Sequence, residues 1–103
     1  MLLVIFEVTM KPNKGDEYFD LAEQLQTELE QFDGFIEVKR FRSLRNTRKY
    51  VSISSWRDDA SVRAWKVHVD HRQAQERGRR EIFADFHISV AEVIRDYHMA
   101  DTT

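Results

Sequence analysis

The first segment of the chain, Leu2 to Val8, is apolar at nearly every position and reads Leu-Leu-Val-Ile-Phe-Glu-Val. A strand with apolar side chains at consecutive positions needs cover on both of its faces. The rest of the chain offers two helix-length amphipathic segments, which form one layer on one face of a sheet. The pattern therefore predicts that something else covers the second face, and another copy of the same chain is the simplest candidate.

Two helices are predicted from apolar residues that recur every three or four positions. The first helix is expected to begin at Asp16 as N-cap and to end near Asp33-Gly34, where glycine suits a left-handed turn. Its apolar stripe consists of Phe19, Ala22, Leu25, Leu29 and Phe32. The second helix is expected to follow the capping carboxylates Asp58-Asp59 and to run to about Arg77-Gly78.

Three more strands are predicted from alternating and β-branched segments. Phe35 to Leu44 and Tyr50 to Trp56 form a hairpin around the polar turn Arg45 to Arg48. The last strand is expected over Phe86 to Tyr97, after a short extra turn at Arg79 to Ala84.

The element order β-α-β-β-α-β predicts an α+β fold of the ferredoxin-like type. This fold has a four-stranded antiparallel sheet with both helices on one face. The chain of 103 residues, 42% of them hydrophobic, suits one domain over 1–98, with a frayed tail over 99–103. Pairing of the open sheet faces in a homodimer would enclose an apolar barrel and leave a pocket between each sheet and its helices.

Charge and cysteine content exclude several classes of function. Lys plus Arg (16) nearly balance Asp plus Glu (18), so neither nucleic acid nor an anionic membrane is an expected partner. The absence of cysteine excludes disulfides and thiolate chemistry. The apolar start is interrupted at Glu7 and lacks a basic leading region, so it is interpreted as a strand of a soluble, cytoplasmic protein.

The second predicted helix carries the candidate chemistry. A helical wheel groups small and polar residues on one arc. That arc contains Ala60, Ala64, His68, His71, Gln75 and Gly78, with Trp65 on one flank. If this arc faces the sheet, its small side chains leave a cavity lined by donors and acceptors for a small-molecule substrate. The wheel alone does not fix which arc faces inward.

His71 is the candidate general base, because a neutral imidazole accepts a proton near physiological pH. Arg72 would stabilise the resulting anion, and Trp65 would stack on a planar ligand. The other candidate substrate-binding residues are His68, Gln75, Tyr50, Trp56 and Phe83, with Phe86 extending the aromatic wall. For each histidine and aromatic, structural packing is the alternative role, and a solvated surface position is the alternative for Arg72.

No metal or organic cofactor is predicted. His68 and His71 form a His-x-x-His pair, but no third ligand stands beside them. Three isolated glycines form neither a phosphate loop nor a dinucleotide fingerprint. If the protein uses oxygen, the substrate itself has to supply the electrons.

Five features follow one another along the chain: Phe35-Ile36, Tyr50 to Trp56, Trp65, His71 and the ending Val90 to Tyr97. In this order and spacing they resemble the antibiotic biosynthesis monooxygenase domain family. The resemblance covers almost the whole chain and implies the dimeric α+β barrel. The family includes cofactor-independent monooxygenases that oxidise polyketide-derived phenols to quinones, haem-degrading enzymes, and many members with no established reaction, so the resemblance implies the fold more closely than the activity. In the quinone-forming branch a tryptophan of the second helix lies near the substrate, and Trp65 matches it.

The haem-degrading branch fits less well. It uses an asparagine on the first strand and an axial histidine about ten residues after the helix tryptophan. Here Glu7 and Gln75 stand near those places, although His71 could still ligate haem one turn earlier.

Residues and resemblance together predict a cofactor-independent monooxygenase. It would oxidise a small planar substrate, phenolic or polyketide-like, with O2 in a pocket between the second helix and the sheet. The alternatives are a module that binds haem or another small ligand without oxygenase activity, and a structural dimeric domain without pocket chemistry.

Overall fold

Six main elements follow one another in the computed structural model, which describes residues 1–75 and 83–102; the side chains of 71–75, 83, 101 and 102 lie outside that description. The elements are β1 (Leu2–Met10), α1 (Gly15–Glu30), β2 (Phe35–Arg42), β3 (Lys49–Trp56), α2 (Asp59–Gln75) and β4 (Phe83–Glu92). A short 3₁₀ helix, Met99–Thr102, comes last.

The four strands form one antiparallel sheet in the order β2-β3-β1-β4. Both helices pack on the same face of this sheet. Tyr18 of α1 joins Val8 and Met10 of β1 in one buried cluster, and Leu29 of α1, Trp56 of β3 and Val62 of α2 form a second. The predicted ferredoxin-like α+β fold is confirmed.

The first turn of α1 differs from the prediction. The helix begins at Gly15, so Asp16 lies inside the first turn instead of capping it, and Lys14 at the cap position makes no side-chain capping bond. Tyr18 is buried, whereas Phe19 is 49% exposed. Both rings contact Tyr50 of β3, at 5.4 and 5.2 Å between centroids, but of the two only Tyr18 belongs to the buried cluster with Val8 and Met10, and that cluster sets which face of the first turn points inward.

The last strand begins and ends earlier than predicted. β4 starts at Phe83, not Phe86, and stops at Glu92, well before Tyr97. Its C-terminal end is set by its partner, because Leu2 pairs with Glu92 and one last backbone bond, from the Val93 N–H to the Met1 carbonyl at 3.0 Å, ends the contact with β1. The predicted turn at Arg79 to Ala84 is wrong at its last two residues, which belong to β4, while 79–82 lie outside the described residues.

The ends of the other elements also differ slightly from the predicted ones. β2 ends at Arg42 instead of Leu44, and β3 begins at Lys49 instead of Tyr50. The tail, which was expected to fray, forms the 3₁₀ helix Met99–Thr102. Differences of one or two residues at element ends are common.

The N-terminus of α2 is fixed against the end of α1 by a group of polar contacts. The Asp58 carboxylate accepts hydrogen bonds from the Ser61 backbone N–H (2.9 Å) and hydroxyl (2.7 Å), as a helix N-cap does. These bonds, with that from Arg57, lower the pKa of Asp58 to about 2. Arg57 also donates to both carboxylate oxygens of Asp33, at 3.2 and 3.0 Å. The direction of α2 across the sheet is therefore set at this corner.

Gly34 occupies the same corner and has a φ of 88°. Its carbonyl accepts the Arg57 backbone N–H at 2.8 Å, and a Cβ added to it would overlap the side chain of Ser61. Only a residue without a side chain suits both the left-handed backbone and this close approach.

Replacement Gly34→Ala is expected to destabilise the fold by about 1–3 kcal/mol or more, because backbone strain adds to the overlap with Ser61. Gly15→Ala is the matched control, since a Cβ at Gly15 meets nothing within 4 Å, and it should change stability by less than about 1 kcal/mol. Urea unfolding of the two variants measures the difference. Equal midpoints would contradict the role assigned to Gly34.

Candidate functional site

The side chains of the sheet divide between a face that meets the helices and an open face. Val4 and Phe6 of β1 point to the helices, because their alternate neighbours Leu2 and Val8 pack in the helix-side clusters. The strand register then places four residues of β3 on that face: Tyr50, Ser52, Ser54 and Trp56. Two serines thus occupy the middle of the sheet, where a filled core would use larger apolar side chains.

A cavity of about 190 Å³ lies above these serines, between the sheet and both helices. This is several times the roughly 30 Å³ that one water molecule takes in the liquid. Its walls come from every strand and both helices, and most of the lining side chains are apolar: Val4, Phe6, Leu21, Ala22, Leu25, Leu29, Val38, Val62, Trp65, Val69, Ile88 and Val90. An apolar concavity with a few polar groups is typical of small-ligand sites.

The polar groups of the cavity wall are few. They are the two serines, the Tyr18 hydroxyl, the Arg40 guanidinium and the Lys66–Asp70 ion pair, whose Nζ and Oδ2 are 2.8 Å apart. Arg40 donates to the side-chain oxygen of Gln26 on α1 and hydrogen-bonds with Tyr18. Burial raises the pKa of Tyr18, and this outweighs the opposing effect of Arg40, so the phenol is neutral at physiological pH.

Trp65 is the sequence-predicted site residue that the structure places in the cavity wall. Its ring is supported by Phe32 in an edge contact (5.2 Å between centroids) and by Trp56 at 6.1 Å. It is therefore held in position beside the space, as a stacking residue would need to be. Its predicted catalytic role stays a prediction.

His68 lies beside the cavity, not in its wall. Its ring stacks on Trp65 (5.3 Å between centroids, 28° between planes), and its Nε2 lies 3.6 Å from the Glu28 Oε2 of α1. In this structure His68 supports the Trp65 ring, and its predicted contact with a ligand stays a prediction.

The predicted inward arc of α2 is wrong at its N-terminal end. Ala60 and Ala64 are exposed, whereas Ser61 and Val62 are buried and Trp65 is half-buried. The Asp58 cap and the aromatic contacts of Trp65 set this rotation, and burying Val and Trp removes more apolar surface from water than burying alanines. The cavity therefore owes its space to the serines of β3, not to the alanines of α2.

Two predicted wall aromatics belong to the core. Tyr50 stacks on Tyr18, and Trp56 is fully buried and donates its Nε1–H to Ser54 Oγ at 2.9 Å. Neither lines the cavity. Phe86 packs against Phe6 at 6.0 Å between centroids and is 39% exposed.

Four predicted residues carry side chains that lie outside the described part of the structure: His71, Arg72, Gln75 and Phe83. The backbone of the first three is in α2 and that of Phe83 is in β4. Their proposed contacts with a substrate stay predictions.

Sequence reasoning missed Arg40 and Tyr18. A signal for Arg40 was present, because the alternation of β2 places it on the same side as Val38, which packs in the core. A charged residue among inward-facing apolar ones indicates a special role. Tyr18 was missed because the predicted apolar stripe of α1 begins at Phe19, whereas the buried residue of the first turn is Tyr18.

Glu7, which was compared with the asparagine of the haem-degrading branch, points to the open face. Its Oε2 lies 3.3 Å from His87 Nδ1, and its Oε1 lies 3.8 Å from Lys49 Nζ. The β1 residues that line the described cavity are Val4 and Phe6, which point to the opposite face from Glu7.

The family model for antibiotic biosynthesis monooxygenase matches residues 1–77. The chain belongs to this family. The whole β-α-β-β-α portion, from β1 to α2, lies within the match, so the resemblance drawn from the sequence is confirmed. Membership of the antibiotic biosynthesis monooxygenase family supports a monooxygenase type of function.

One curated relative is the jasmonate monooxygenase ABM of Pyricularia oryzae, which is 40% identical over 93 residues. The match covers 90% of this chain but 43% of that protein, so the chain spans less than half the length of this relative.

Two solved structures share the fold at low identity. SnoaB, a cofactor-independent oxygenase from Streptomyces nogalater, superimposes with a TM-score of 0.75 at 14% identity, over 92% of this chain and 94% of its own. The haem degrader MhuD from Mycobacterium tuberculosis, with two haems in its active site, has a TM-score of 0.74 at 15% identity, over 95% and 100%. At these identities the likeness shows the fold alone.

Among the described residues, neither α-helix is long and apolar enough to cross a membrane. Within 1–75 and 83–102, no group of three or more His, Asp or Glu side chains is arranged to hold a metal ion.

Removal of the Ser54 hydroxyl is expected to cost about 1–3 kcal/mol of stability, because it leaves the buried Trp56 Nε1–H without its acceptor. Ser52→Ala is the control for Ser54→Ala, since it truncates the neighbouring cavity serine and leaves that bond intact. Thermal or urea unfolding measures both. A loss of stability at Ser52 as large as that at Ser54 would contradict this assignment.

Proposed function

We propose that this chain is a monooxygenase that oxidises a small, planar, largely apolar substrate inside the cavity between the sheet and the two helices. The observation that carries the proposal is a largely apolar cavity with Trp65 in its wall, in a member of the antibiotic biosynthesis monooxygenase family. The relative named a jasmonate monooxygenase supports the type of reaction, and its greater length leaves its substrate a separate question.

A phenolic substrate gives this chemistry without a cofactor. The phenol reacts with O2 so that one oxygen atom enters the ring and the other leaves as water, which takes up the ring hydrogen and the hydroxyl proton. The ring supplies all the electrons and becomes a quinone. SnoaB, described as a cofactor-independent oxygenase, supports this version by its shared fold.

The residues of the wall contribute by binding the substrate. Trp65 offers a flat surface for a planar ring, and the apolar side chains of α1 and β4 give the space a mostly apolar lining. The serine hydroxyls of β3 lie on the floor, where they can hydrogen-bond a substrate oxygen. Proton removal is assigned to His71, as the sequence predicts.

Haem binding is less well supported. The described part of the cavity wall contains no histidine, cysteine or methionine to ligate iron, and Tyr18, whose pKa is raised by burial, is hydrogen-bonded to Arg40. No step of the proposed reaction therefore uses haem.

Filling the cavity tests the proposed site. Ser52→Leu adds a branched side chain to the cavity floor and is expected to reduce turnover by about tenfold or more, while Ser52→Ala, which leaves the space open and removes one hydroxyl, should reduce it much less. The assay measures O2 uptake and quinone absorbance with hydroxylated naphthalenes and anthracenes as substrates.

Circular dichroism of Ser52→Leu is the folding control for this assay. Equal turnover in both serine variants would place the reaction elsewhere. A Soret band on haem titration, together with no O2 uptake from any phenol, would favour the haem-binding alternative.

We also propose that a second copy of the chain covers the open face of the sheet. This face carries apolar side chains from β1 and β3, namely Leu3, Ile5, Val51 and Ile53, and Phe41 of β2 adds to it with 52% of its surface exposed. Because no described helix packs on this face, its apolar surface stands open in the single chain.

A lysine placed on each face of β1 in turn tests the roles assigned to the two faces. Ile5→Lys should give a folded monomer, because Ile5 is on the open face, whereas Val4→Lys should unfold the chain or lower its stability by about 2–4 kcal/mol, because Val4 lines the cavity. Size-exclusion chromatography with light scattering, followed by unfolding, measures both. A dimer unchanged by Ile5→Lys would contradict the proposed interface.

A further inference from the structure

We infer that the Arg40 guanidinium binds a negatively charged oxygen of the substrate, so that the cavity selects a small apolar acid, either a carboxylate or a phenolate. This inference rests on the proposed function, because it assumes that the cavity holds the substrate.

The first argument is the position of Arg40. It lies on β2 directly opposite Ser52 of β3, on the face that meets the helices, and its side chain contributes to the cavity wall. It is partly buried beneath α1. A guanidinium at this place is removed from much of the solvent that would otherwise hydrate its charge.

The second argument is that no described carboxylate neutralises this charge. Within 1–75 and 83–102, none of the ion pairs involves Arg40. The other charged residues of the wall, Lys66 and Asp70, pair with each other. Tyr18 is neutral, because burial raises the pKa of its phenol, and Gln26 carries no charge. The wall therefore carries a net positive charge in its described part.

The third argument is that the guanidinium is held in place by neutral groups. Gln26 accepts a hydrogen bond from Arg40 through Oε1 and donates through Nε2 to Glu30 at 3.1 Å, which fixes the orientation of the amide. Tyr18 provides a second hydrogen bond. A guanidinium has several N–H donors in a rigid plane, so these two partners leave donors for the oxygen of a ligand.

The apolar lining of the cavity indicates what the uncharged part of the ligand is like. Apart from Arg40 and the hydroxyl groups, the cavity surface nearest the sheet is aliphatic or aromatic. The ligand that fits this distribution has an apolar body and one anionic oxygen. A structural role, in which Arg40 only joins β2 to α1 through Gln26, predicts no preference between charged and neutral ligands.

The experiment compares matched acidic and neutral probes by titration calorimetry, with Trp fluorescence as a second readout. Jasmonic acid and its methyl ester test the carboxylate, and 4-nitrophenol above its pKa and its methyl ether test the phenolate. The protein variants are Arg40→Gln, which removes the charge, and Arg40→Lys, which keeps it. Arg42→Gln is the matched control, because Arg42 points to the same face of β2 but is exposed and outside the cavity wall.

The unaltered chain is expected to bind at least one acid about 10- to 100-fold more tightly than its neutral partner. Arg40→Gln should abolish this preference without weakening the neutral probe, Arg40→Lys should keep part of it, and Arg42→Gln should leave it unchanged. Unchanged affinity for the neutral probe also shows that the Arg40→Gln cavity is intact. The acid that shows the preference identifies the carboxylate or the phenolate as the preferred class.

Equal affinity for acid and neutral probe, lack of binding by both acids, or a preference that survives in Arg40→Gln would overturn the inference. The proposed function fails separately. O2 uptake without an acid preference would retain the monooxygenase and remove Arg40 from substrate recognition. An acid preference without O2 uptake from any substrate would retain Arg40 as the anion-binding residue and contradict the monooxygenase activity.

Discussion

The structure depends on how β3 alternates large and small residues on the side that meets the helices. Tyr50 and Trp56 fill the two ends of that row and anchor two buried clusters, one with Tyr18 and one with Leu29 and Val62. Ser52 and Ser54 occupy the middle. Because the helices rest on the large residues at the ends, they cannot collapse onto the small residues between them. The same strand thus supports the core and creates the cavity.

Polar groups are used sparingly around this cavity, and several of them have a structural partner as well as a place in the wall. Ser54 accepts the indole N–H of the buried Trp56, and Tyr18 and Gln26 hold Arg40. Since a buried donor without an acceptor is costly, these contacts keep the wall rigid before any ligand arrives. The arrangement suits a site in which the geometry of the substrate is set by shape and by one charge.

The fold was predictable because its signals are local. Leu2 to Val8, the two amphipathic segments and the turn residues each specify one element, and their order leaves one common topology. The site was less predictable, because it depends on rotations and registers that local patterns do not fix. In α1 the buried residue is Tyr18 and the exposed one is its neighbour Phe19, which rotates the inward face from the predicted one. In α2, likewise, Val62 is buried and Ala64 is exposed. Ser52 and Ser54 are ordinary strand residues until the register places them under both helices.

Arg40 and the residues of β4 lie at opposite edges of the sheet, since the strand order is β2-β3-β1-β4. Ile88 and Val90 line the cavity on the β4 side yet are 40% and 50% exposed, so this side is the less covered one. Neighbouring strands are about 4.8 Å apart, which puts the two edges roughly 14 Å from each other. A molecule fixed by its charge at one edge must end before the other or protrude into water. The width of the sheet therefore limits the length of a molecule that the cavity can cover.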